Sequence, residues 1–378
     1  QLRLDGFSQV HGEPVQVPHW VRGAESLELR SPRRQPLRVL GVGGTLPTPP
    51  HGIEAEVLVV TDFAELKQRQ AEAVGKIVLF DLPFTDYGVT VAIRTRGAME
   101  AAKAGAVASL IRSVGPFSMQ TPHTGIMQKD PAARLIPHAA ITSEDAAMFR
   151  RMQERGQRIV VHLKLDSTTH PDATSRNVVA EFPGSELPEE IVLLGGHIDS
   201  WDVGQGAVDD GGGCIASWEA IRLLKELGLK PRRTLRLVLW TGEENGLWGA
   251  KAYRKSHEAE LSKHVLAIES DRGVFSPEGF AFTGSGMAFA WLDQIAKPLH
   301  SIKSQRLSLG NGGMDVMELI SGGVPVMDLV VDRTRYFWFH HSEADTVDKV
   351  DPKELNLCVG ALAVMAHGVA NMPIRLPR

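Results

Sequence analysis

The sequence predicts an α/β protein with a mostly parallel central sheet, helices on both faces and a smaller α/β unit inserted near its start. Three observations predict it. From Asn177 onward, short apolar runs alternate with glycine turns and helical stripes, as strands covered on both faces require. Residues 51–166 hold a second series of β-branched runs and helical patterns. At 378 residues the chain also exceeds the roughly 250–300 residues at which single cores stop growing, so two domains are expected.

In the early unit, residues 55–60, 75–81, 107–114 and 158–165 read as strands. Residues 93–104, with alanines and Met99 at helical spacing, and 145–155, capped by Ser143, read as helices. His123 and His138 stand beside prolines, far from any acidic cluster, and are read as structural. Later, residues 191–194 form a buried strand. Residues 214–227 form a helix whose stripe is Ile215, Trp218, Ile221, Leu224 and Leu227. Gly228 caps that helix and Pro231 prevents its continuation. Strands at 234–241, 264–269 and 323–330 follow. The apolar stretch 357–370 is short of the about 20 residues that span a bilayer, so it reads as a packed helix.

Apolar content of 43%, charge content of 23% and a net charge of -4 carry no bias toward polyanions, so nucleic acid is not an expected partner. Cys214 and Cys358 sit in apolar contexts and read as small core residues. No asparagine begins an Asn-X-Ser/Thr acceptor, which suits a bacterial product that is secreted or periplasmic. The chain opens at Gln1 without methionine or a signal pattern, which suggests a processed or trimmed product.

The chemistry gathers where strands end. His197 follows the first of the later strands, Glu243 and Glu244 the second, Asp271 the third. Ligands of open α/β sheets bind beyond such carboxyl ends. Paired buried carboxylates need protons or cations to offset their charge. Imidazole and carboxylate donors suit two divalent ions about 3.5 to 4 Å apart, zinc best of all. The assignment expected here gives His197 and Asp271 to one ion, Glu244 and His341 to the other, and the bridge to Asp209. Asp199, two positions beyond His197, is expected to accept the other ring N–H through its carboxylate. Glu243, left free, is the expected general base. The Asp209-Asp210 peptide before Gly211, Gly212 and Gly213 reads either as a plain glycine turn or as an unusual, cis linkage aiming Asp209. His257-Glu258-Ala259-Glu260-Leu261 begins like HExxH but ends in leucine, so it is read as surface.

The segments GGHIDSWD, VDDGGG, WTGEENGLWGA, IESD and FHHSEADT resemble the successive metal motifs of the co-catalytic dizinc exopeptidases, peptidase family M28. HWVRGAES, AGAVASLIRSVGPFS and PHTGI extend the likeness over almost the whole chain. The resemblance implies the zinc-exopeptidase fold: a peptidase domain that starts in residues 1–50 and resumes over 167–378, interrupted by a protease-associated insert at 51–166. It implies two zinc ions per chain held by His197, Asp209, Glu244, Asp271 and His341, with Glu243 as base and Asp199 in support. It also implies His340 as a donor to the tetrahedral intermediate, Asn311 and Gly312 in a substrate-lining loop, and a homodimer. The expected activity is hydrolysis of dipeptides or short peptides with free termini by a dizinc-bound hydroxide. An aminopeptidase on longer peptides, a catalytically silent receptor and a single-zinc glutaminyl cyclase stand as rivals.

Overall fold

The structure, a computed structural model, describes residues 1–130 and 134–378. It divides into two compact units: Gln1–Val17 with Ala173–Tyr336 and Asp345–Arg378, and Pro18–Asp172 with Phe337–Ala344.

The first sheet runs, in spatial order, Ser8–Val21, Thr168–Phe182, Arg233–Trp240, Leu187–His197, His264–Glu269, Val326–Val331, Pro277–Thr283 and Arg306–Leu309. Its four central strands are parallel, with His197 level with Trp240, and Glu269 level with both Gly195 and Asp328. Antiparallel neighbours flank them on both sides. All eight residues of Arg233–Trp240 are buried, and its two arginines need partners there. Arg233 donates to Glu190 and to the Met372 carbonyl, Arg236 to Glu181, Tyr253 and Glu260. The helix Gly212–Glu226 buries Ser217, Ala220, Ile221 and Leu224, while Ile215 and Leu227 of the expected stripe are exposed. Steps of three residues fall about 60° short of a turn, so the ends of such a stripe rotate off the buried face. The C-terminal helix Pro352–Ala370 packs against it.

The second unit has its own sheet, ordered Gln35–Leu37, Glu25–Ser31, Val160–Leu165, Ile53–Val60, Ile77–Phe80, Ala108–Arg112, His138–Ile141 and Val39–Gly41. Side-chain alternation explains why it needs helices on both faces. Ile77 and Leu79 pack with Phe149 and Met152 of Ser143–Glu154, whereas Val78 and Phe80 pack with Ile93 and Ala98 of Ala92–Lys103. The cap of Ser143–Glu154 is Thr142, whose hydroxyl accepts from the Asp145 amide, rather than Ser143. The strands Glu25–Ser31, Gln35–Leu37 and Val39–Gly41 lie before the stretch read as the early unit, although Leu27 and Leu29, both buried, alternate with polar residues as a strand requires. Among the described residues, no helix is long and apolar enough to cross a membrane.

Candidate metal centre

Parallel strands of the first unit deliver the acidic cluster to one edge. His197 ends Leu187–His197, the two glutamates lie just beyond Arg233–Trp240, and Asp271 just beyond His264–Glu269. His197, 1% exposed, places Nε2 3.1 Å from Asp209 Oδ1 and 3.1 Å from Asp271 Oδ1. Its Nδ1 is 2.8 Å from the Asp199 carbonyl oxygen. That bond requires a hydrogen on Nδ1, so a neutral ring turns a lone pair toward the two carboxylates. Three electron-rich atoms can converge this way only around a positive group, a proton or a cation. Ligand atoms about 2.0–2.2 Å from a tetrahedral zinc ion stand roughly 3.4 Å apart, close to this spacing.

Charge effects agree. Burial opposes a proton on His197, but the Asp271 charge and the hydrogen bonds to Asp209 and Asp271 outweigh it and hold the imidazole well above its ordinary range. Burial pushes the Glu243 carboxyl well above the usual carboxylate range, and Asp271, Glu244 and Asp209 push it further. Asp210 is displaced the same way by burial and by the charges of Asp271 and Asp209. A dication among these groups reverses the sign of that repulsion, so the donor set fits a metal.

Asp199 is placed differently from the sequence expectation. Its main-chain carbonyl, not its carboxylate, holds the His197 ring; the nearest carboxylate oxygen is 3.8 Å from Nδ1. The carboxylate instead accepts from the amides of Glu243 at 3.1 Å and Glu244 at 3.3 Å. Two residues beyond a strand end, the carbonyl already faces the ring, which frees the side chain to anchor the neighbouring turn. Asp199 thereby ties His197 to both glutamates.

The Asp209-Asp210 peptide is cis. Sequence reasoning gave no part to Asp210 or Asp345, yet both build the site. Asp210 accepts from the His197 amide at 3.1 Å and the Gly213 amide at 3.1 Å. A Cβ on Gly213 would stand 1.9 Å from the Ser270 carbonyl oxygen, which explains that glycine sterically. Asp345, held up to about 6 chiefly by burial, accepts from the amides of Val208 at 2.7 Å and Asp209 at 3.1 Å. The only sequence signal for Asp345 was its membership of the FHHSEADT segment. Gly312 and Gly313 are buried, and a Cβ there would meet Val326 at 2.5 Å and Glu269 at 2.1 Å; Asn311 is exposed.

His340 and His341 belong to the second unit. His341, at φ +59, holds Nδ1 3.2 Å from the Thr124 carbonyl and 3.2 Å from Arg94 Nη1. A hydrogen given to Thr124 leaves Nε2 as the donor atom for a metal. The His340 ring stacks on it with centroids 3.5 Å apart. His257, from the broken HExxH pattern, is bonded to Glu13 and Glu260 and serves packing.

A model of peptidase family M28 matches residues 177–366. Carboxypeptidase Q of Rattus norvegicus is 52% identical over 377 residues, which cover 100% of this chain and 80% of that protein. Carboxypeptidase Q of Homo sapiens is 49% identical with the same coverage. A peptidase M28 precursor from Shewanella amazonensis has the same fold at a TM-score of 0.95 and 38% identity, covering 100% of this chain and 87% of that one. Similarity of this extent over the whole chain, together with the imidazole-carboxylate cluster, shows that the protein belongs to peptidase family M28 and is a metallopeptidase.

Proposed function

We propose that the chain is a zinc-dependent exopeptidase that hydrolyses dipeptides or short peptides with free termini. One observation carries the reading: His197 Nε2 faces the carboxylates of Asp209 and Asp271 while Nδ1 is fixed by the Asp199 carbonyl. Likeness to carboxypeptidase Q across the whole chain supports it.

In this reading His197 and Asp271 would hold one zinc ion, Glu244 and His341 a second, and Asp209 would serve both. When bound, such ions polarise a carbonyl and acidify water. Glu243 takes the proton of the attacking water on its carboxylate and returns it to the departing amine. Asp199 fixes the backbone of both glutamates, and Asp345 and Asp210 fix the backbone on either side of Asp209 and beneath His197. His340 donates to the carbonyl oxygen as it gains charge, and Asn311 and Gly312 line the substrate. Residues 51–166 are a protease-associated insert, the protein is a homodimer, and it is secreted or periplasmic.

A second reading, an aminopeptidase on longer peptides, is favoured by a probable leucine aminopeptidase 2 of Aspergillus oryzae, 29% identical over 302 residues. Zinc-loaded protein assayed on di-, tri- and pentapeptides beside N-acetylated controls separates the two. The proposal expects a sharp loss of rate beyond two residues and no cleavage of blocked peptides. Equal rates along the ladder favour the second reading, and no hydrolysis at all ends both.

A further inference from the structure

The edge that carries the acidic cluster also carries three arginines. Arg272 follows Asp271 directly, Arg333 lies just beyond the parallel strand Val326–Val331, and Arg306 opens Arg306–Leu309. Strand register gathers them. Glu269 pairs with Asp328, so the chain leaves for Arg272 alongside the strand that ends near Arg333. Gly279 pairs with both Val330 and Arg306, bringing the third arginine to the same end. All three line one cleft of roughly 710 Å³, with Ser308, Asn311 and Thr334 supplying further polar groups.

Carboxylates accompany these arginines. Asp328, 1% exposed, stands 3.4 Å from Arg272 Nε, and Glu278 is 3.8 Å from Arg306 Nη1. Asp332 also lines the cleft and accepts from the Thr334 amide. Among the described residues Arg333 forms no ion pair; partial burial and the Arg272 charge lower its pKa. Three guanidiniums therefore meet three carboxylates, and Arg333, which has no ion pair of its own among the described residues, offers forked donors that match a further carboxylate.

We infer that this cleft is a carboxylate subsite of the proposed peptidase, in which Arg306 and Arg333 hold the acidic side chain of a short peptide bound at the neighbouring Asp271. The inference rests on the exopeptidase reading for its substrate but not for its binding chemistry, so the test has two arms. The variant is Arg306→Gln with Arg333→Gln, two exposed positions outside the acidic cluster.

In the first arm, zinc-loaded wild type and variant are titrated calorimetrically with glutarate and with its neutral analogue glutaramide. Glutarate is expected to bind the variant at least about tenfold more weakly, through loss of the charge-assisted contacts of both arginines, while the neutral glutaramide is unaffected. In the second arm, kcat/KM is compared for Ala-Glu and Ala-Gln. Wild type is expected to favour Ala-Glu by about tenfold, and the variant to lose that preference through KM with its Ala-Gln rate unchanged. Equal glutarate binding by both proteins overturns the subsite and leaves the peptidase reading standing. Lost glutarate binding with an unchanged dipeptide ratio overturns the substrate assignment. Absence of all hydrolysis removes the exopeptidase reading, and the glutarate arm then still decides the cleft.

Discussion

His197 in the first unit and His138 in the second are both buried imidazoles, yet their surroundings drive them in opposite directions. His138 is wholly enclosed, hydrogen-bonded to the Arg94 carbonyl, and burial pushes it down to about 4. His197 is equally enclosed, but carboxylates around it reverse the effect and raise its proton affinity. The two sheets differ in the same way. The second unit encloses His138 beside the Arg94 cation, whereas the first brings Asp209, Glu243, Glu244 and Asp271 to its carboxyl edge. Burial alone therefore does not mark a functional histidine; the sign of the charge it meets does.

The largest effect that would break this contrast concerns Glu243. A Glu243→Gln variant removes a proton acceptor but no proposed metal donor, so kcat is expected to fall by about 10² to 10⁴ with zinc content unchanged. Near-normal turnover would remove the base from the account. The contrast sharpens with acid denaturation. Between pH 6.5 and about 4 the unfolded chain protonates His138 while the folded chain does not, so stability falls as pH falls through that window. The contribution approaches about 3 kcal/mol at its lower end. Urea midpoints of wild type and His138→Gln, compared at pH 7 and pH 5, are expected to differ less at pH 5; an unchanged difference would contradict the neutral assignment. A smaller effect is expected at Asp345. Asp345→Asn keeps one acceptor for the Val208 and Asp209 amides and loses the other, at a cost of about 1–3 kcal/mol in a denaturant titration. A neutral result would show that Asp209 is held by other means.

Much of this organisation was legible in the sequence, for physical reasons that can be named. Runs such as Ile191 to Leu194 and Leu235 to Trp240 are apolar on both faces, and only strands between two helical layers can bury them. Strand ends then located His197, Glu243, Glu244 and Asp271. Ser8–Val21 was invisible because its side chains are largely exposed and its sequence mixes His, Glu and Pro among valines. Arg306–Leu309 is a four-residue edge strand with little periodicity, and Pro277–Thr283, one strand inward, opens on Pro, Glu and Gly, residues depleted in strands. The expectation for Asp199 missed because spacing places a residue near a ring without fixing whether its carbonyl or its carboxylate faces it. Asp210 and Asp345 act through backbone amides, a role that leaves little trace in composition or periodicity.

The central claim is that the cluster around His197 holds zinc. Anomalous scattering at the zinc edge, from crystals of the zinc-loaded protein, tests it most directly. The account predicts two peaks per chain, one about 2.0–2.1 Å from His197 Nε2 and shared with Asp209 and Asp271, the other on Glu244 and His341. A map with no peak beside His197 Nε2 would contradict it.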